Sequence, residues 1–97
     1  MAKILEISEV SQNANSLTIH PSQAASFLEV CKPKQFSSCM IRGPANENPE
    51  FWRLLHASLV DGAQVELSAA APALEKTLQM SGFTNVVSGA HMSFIKP

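Results

Sequence analysis

The side chains able to do chemistry are few and scattered. The three histidines, His20, His56 and His91, fall 36 and 35 residues apart. No HxxxH or HExxH spacing sets two imidazoles on one helical face for zinc. Cys31 and Cys39 form neither a CxxC pair nor any run typical of an iron–sulfur site, so no metal ligand is assigned. Nucleophilic catalysis fares no better: there is no GxSxG elbow, and Cys39 lies in an apolar segment with no base near it in sequence to generate a thiolate. The four glycines, Gly43, Gly62, Gly82 and Gly89, are each isolated, which excludes GxGxxG and Walker phosphate loops. After the first apolar run the chain reads Ser8-Glu9-Val10-Ser11-Gln12, without glycine. A dinucleotide or adenosyl-methionine pocket needs close backbone approach at that point, and side chains obstruct it. Two candidates remain. The loop carrying Arg42, Asn46, Glu47 and Asn48 follows a predicted strand, where α/β proteins place ligands, although a solvated connection also fits it. Trp52 offers a partner anchor, beside the commoner role of half-covering the core.

The elements that must position these residues belong to one domain, residues 1–97. The 45% hydrophobic content suits a single packed core. Charged residues make up 15% and the net charge is −1, which offers no field for nucleic acid or anionic lipid. No apolar run reaches the roughly 18 residues of a membrane span, and MAKILEISEV reads as a strand and not as a signal peptide. Two cysteines are too few for a disulfide scaffold, so a reduced cytoplasmic setting is expected.

Ile4, Leu5 and Ile7 predict a buried strand, expected to lie beside a second at Phe36–Ile41. Leu17-Thr18-Ile19 is either a brief strand or the lead-in to helix Pro21–Cys31, whose stripe is Ala24, Phe27, Leu28 and Cys31. Cys31 reads most simply as a small core side chain. Asn48-Pro49-Glu50 starts a helix with an N-cap, a proline at N1 and an acid near the positive dipole end. Its inward stripe is Phe51, Leu54, Leu55, Ser58 and Leu59, flanked by Trp52, Arg53 and His56. An Asp61-Gly62 turn then precedes strand Ala63–Leu67. Pro72 starts a helix with Leu74 and Leu78 inward, and Gly82 stops it with Phe83 folding back. Val86-Val87, a Ser88-Gly89 turn and Met92–Ile95 close the chain as a hairpin. The expected class is α/β: a small three-layer fold with a mostly parallel sheet and a C-terminal antiparallel hairpin.

Pro49–Val86, with FWRLLHASLVDGAQVEL followed by LEKTLQMSGFTNV, resembles the C-terminal half of class I methyltransferase-like (Rossmann-like) domains, and FSSCMIRG resembles a strand that precedes it in one branch of that group. Asp61-Gly62 stands where that family has a Pro-Gly-Gly-type loop, and Ser81-Gly82-Phe83 at its "SGF" stop. Within that group the chain resembles the N-terminal domain of the anamorsin (CIAPIN) family of cytosolic iron–sulfur assembly factors. The resemblance implies a degenerate methyltransferase-like fold without methyl transfer, forming the N-terminal domain of a longer protein. It implies a scaffold or interaction role with protein partners, a diflavin reductase and other assembly factors among them. No nucleic acid and no membrane are expected as partners. It implies 2Fe-2S and 4Fe-4S clusters only in a cysteine-rich C-terminal region, and no cofactor in this segment. The competing expectation is a small methyltransferase-fold enzyme or subunit completed by a partner. Between the first strand and Leu17 the sequence leaves no length for a cofactor-loop helix.

Overall fold

The computed structural model describes residues 4–9, 16–30, 35–43, 48–69 and 72–97. Among these residues six strands form one sheet: β1 (Ile4–Ile7), β2 (Ser16–Ile19), β3 (Phe36–Ile41), β4 (Leu59–Leu67), β5 (Thr84–Ser88) and β6 (Met92–Ile95). Three helices accompany them: α1 (Ala24–Val30), α2 (Pro49–Ser58) and α3 (Glu75–Met80), with 3-10 turns at Pro21–Gln23 and Pro72–Leu74 leading into α1 and α3. The strand order is β2-β1-β3-β4-β6-β5. β2, β1, β3 and β4 run parallel, and β6 inserts antiparallel between β4 and β5. The α/β class, the mostly parallel sheet and the closing hairpin are therefore as the sequence suggests. β1 does lie beside Phe36–Ile41, and Leu17-Thr18-Ile19 resolves as strand.

Strand registry sorts side chains into two faces, because alternate residues point opposite ways. One face carries the row Leu5, Cys39, Val65 and Phe94 and the row Ile19, Ile7, Ile41, Leu67 and Met92, all buried. Trp52 of α2 meets Phe94 edge-on at 5.8 Å, and α2 packs between α1 and α3, so the helices share this face. The three helical crossovers, β2 to β3, β3 to β4 and β4 to β5, all step the same way across the sheet. With a single right-handed sense they place every described helix on one side. Among the described residues the three helices thus form one layer against the sheet. The step from β1 to β2 goes the other way, but only eight residues, 8–15, join them. A parallel crossover that carries a helix takes about a dozen or more.

Local signals account for the element ends. Asn48 Oδ1 accepts from the Glu50 N–H at 3.0 Å with Pro49 at the first helical position. At the end of α3 the Phe83 N–H donates to the Leu78 carbonyl (3.0 Å) and the Gly82 N–H to that of Gln79 (3.1 Å), with Gly82 at φ +102°. This is the two-bond glycine stop, sealed by buried Leu78 and Phe83. Two expectations need correction. Asp61-Gly62 is no turn between elements: α2 passes straight into β4 at Leu59, and Gly62 (φ +84°) sits in a bulge where four residues of β4, 60–63, lie opposite one of β3, Ser37. Ile4 is 38% exposed, since it points to the face opposite Leu5. Cys31, the last stripe residue expected of the first helix, lies outside the described residues.

Candidate functional site

The sheet reverses its winding between β1 and β3, and in open α/β sheets the carboxyl ends flanking such a point form the ligand crevice. Here the Ser8 N–H donates to Ile19 O (3.0 Å), Arg42 N–H to Ile7 O and Ser68 N–H to Ile41 O (each 2.9 Å), which ties the strand ends together. Gly43, at φ +97°, donates its N–H to Ser68 Oγ at 3.1 Å. On the face away from the helices, the row Thr18, Glu6, Met40, Glu66 and Ser93 runs across five strands.

Glu6 is the unusual member. Its side chain is only 4% exposed, and Oε1 stands 3.9 Å from Arg42 Nε, too far for a hydrogen bond. Glu6 Oε2, its cross-strand neighbour Thr18 Oγ1 and Arg42 Nε are buried without hydrogen-bond partners. Among the described residues the orphaned buried side-chain atoms all gather in this corner. Such atoms are rare, because each forfeits its hydration uncompensated, and a cluster of them marks a place where something polar belongs. Beside it, Met40, Arg42, Glu66, Leu67, Ser68 and His91 line a cleft of about 290 Å³. That volume falls just below the roughly 300–1,000 Å³ usual for small-molecule sites.

Arg42 is the sequence candidate that reaches this place, with its side chain 41% exposed. Asn46 and Glu47 lie outside the described residues. Trp52 requires correction as an exposed partner anchor: it is 0% exposed, edge-on to Phe51 at 4.9 Å as well as to Phe94. The helix turns Phe51, Trp52, Leu55 and Ser58 to the sheet, so the indole sits in the middle of the buried stripe and Leu54 moves to its margin. Glu6 was missed. An acid between the apolar residues of a strand, one position from its carboxyl end, was the available signal.

The other reactive groups are occupied structurally. His20 Nδ1 accepts from the Ser22 N–H at 3.2 Å and caps the turn into α1. His56 packs edge-on to Phe83 at 5.1 Å, and a Cβ on Gly82 would come within 2.8 Å of its Nε2. Desolvation, and then the charge of Lys96, hold His56 below its ordinary value; a backbone hydrogen bond at Gly82 and the charge of Asp61 oppose them. Lys96 is itself buried and donates from Nζ to the carbonyls of His56 (2.8 Å) and Leu59 (2.6 Å), with Asp61 at 4.0 Å. It therefore caps the carboxyl end of α2 with a positive charge. Burial pushes the Cys39 thiol far above its usual range, so no thiolate forms there near neutrality. Among the described residues no three His, Cys, Asp or Glu side chains are placed to hold a metal ion, and no helix is long and apolar enough to cross a membrane.

No family model and no curated protein matches the chain. Its likeness is to solved structures. A phosphoethanolamine N-methyltransferase 2 from Haemonchus contortus, solved with phosphomonomethylethanolamine and S-adenosylhomocysteine, is 10% identical with a TM-score of 0.59, over 89% of this chain and 34% of that one. A possible exported protein from Bordetella parapertussis follows at 12% and 0.57, over 86% and 45%. The tRNA (m1A58) methyltransferase TrmI from Aquifex aeolicus gives 14% and 0.53, over 87% and 43%. The fold is thus methyltransferase-like, and the chain spans between a third and a half of the length of these structures.

Proposed function

We propose that the chain is a non-catalytic interaction domain built on a shortened methyltransferase-like fold. What carries this reading is the β1–β2 link: eight residues, opening with Ser8 and Glu9 where a nucleotide-gripping loop would need glycine. The crevice at the switch point is further occupied by Arg42 and the buried Glu6 carboxylate. Such a domain works through its outer surfaces. In finer terms, we place it with anamorsin-type factors of cytosolic iron–sulfur assembly, where it would hold a diflavin reductase near clusters carried outside this segment. The sequence resemblance around LEKTLQMSGF supports that placement.

The methyltransferase-like fold is also compatible with a second reading, in which a partner completes a cofactor site. Titration of ¹⁵N-labelled domain with adenosyl-methionine separates the two. The interaction reading expects no saturable amide shifts at Ser8, Glu9, Arg42 or Gly43. Micromolar, saturable shifts there would replace it with the enzyme reading.

A further inference from the structure

We propose that the cleft on the sheet face away from the described helices receives an arginine side chain from a protein partner, an inference that rests on the interaction reading above. A mostly parallel sheet is ordinarily covered on both faces, whereas the described helices cover one. On the other, Gln64 and Glu66 are exposed, Met40, Ser93 and Ile95 half-buried, and Ile4 and Val87 are 38% and 60% exposed. This is a mixed surface of the kind that takes a partner's polar and apolar side chains together.

Charge selects the occupant. Among the described residues the corner holds two carboxylates, Glu6 and Glu66, against one guanidinium, Arg42, with the His91 imidazole also on the cleft lining. The Glu6–Arg42 pair is long and leaves Glu6 Oε2 without a donor, while Glu66 faces solvent at the cleft wall. One further cation balances the corner. Met40 provides an apolar wall for an aliphatic stem, and Glu66 lies where its head can be met. The cleft is sized for one long side chain and is small for a nucleotide. Arginine suits it better than lysine, since a planar fork of donors can serve a carboxylate with two bonds and is less strongly hydrated.

The test titrates labelled domain with N-acetyl-arginine methylamide, with N-acetyl-glutamine methylamide and inorganic phosphate as controls. The expected result is saturable shifts of the Met40 methyl and of the Ser68 and His91 amides with the arginine probe alone, weakened tenfold or more in Glu66→Gln. Glu66 is exposed, so that variant keeps the fold. Stronger shifts with phosphate, lost in Arg42→Gln, would overturn the proposal in favour of an anion site. Absence of saturation with the arginine probe, or an unchanged response in Glu66→Gln, would also overturn it. A parallel measurement of diflavin reductase binding keeps the two claims apart. Reductase binding unaffected by Glu66→Arg removes the cleft assignment and leaves the interaction reading standing. Loss of tenfold or more in that variant supports both.

Discussion

The two faces of the sheet treat a buried charge in opposite ways. On the helix side Lys96, 6% exposed, donates to two backbone carbonyls at the end of α2. On the far side Glu6, 3% exposed, keeps one oxygen without a donor, with Arg42 at 3.9 Å, beyond hydrogen-bonding reach. The first arrangement closes a helix end and pins the β4 bulge, where the Gly62 N–H also donates to Lys96 O at 2.7 Å. It is finished. The second is unfinished, and it lies at the carboxyl ends of β1 and β3, where this kind of sheet does its work. The contrast separates a stabilising face from the face proposed to bind a partner.

Trp52→Ala should give the largest effect and so test the finished face first. The indole is fully buried between Phe51 and Phe94, and such truncations cost about 4 kcal/mol, readable as a lowered urea midpoint. A loss under about 1 kcal/mol would mean the ring is not core. Lys96→Met should follow, at about 2–3 kcal/mol, because the carbonyls of His56 and Leu59 lose their charged donor. The change should appear as faster amide exchange at the end of α2 and across the bulge.

His56 sharpens the same side through pH. Desolvation lowers its folded value from 6.5, so the unfolded chain binds the additional proton. Stability from this group is full above about 6.5 and falls as pH drops through that value. His56→Gln should therefore flatten the dependence of the urea midpoint between pH 7.5 and 5.5. A variant as pH-sensitive as the parent would remove His56 from the account.

Glu6→Gln should have the smallest effect, within about 1 kcal/mol, since a poorly paired buried charge contributes little net stability and its neutral isostere avoids desolvation. Equality with Lys96→Met would break the comparison between the faces.

Much of the fold was legible in short signals. The Asn48-Pro49 cap, the Gly82-Phe83 stop and the pairing of Ile4–Ile7 with Phe36–Ile41 follow from local chemistry and apolar runs. Asp61-Gly62 misled because a glycine with positive φ serves a bulge as readily as a turn, and only the neighbouring strand decides which. Trp52 was ambiguous because a helical stripe fixes which residues cluster, but the sheet beneath sets the rotation of the helix. The site was the least legible part. Glu6, Thr18, Met40 and Glu66 come from four strands and share a row only through long-range registry. Asn46 and Glu47 lie outside the described residues.

The proposed binding face is tested most directly by methyl cross-saturation from the proposed diflavin reductase onto the labelled domain. The account predicts attenuation at Ile4, Met40 and Val87, on the face without described helices, and none at Val30 and Met80, which are exposed on α1 and α3. Attenuation at Val30 and Met80, with Ile4 and Met40 untouched, would contradict it.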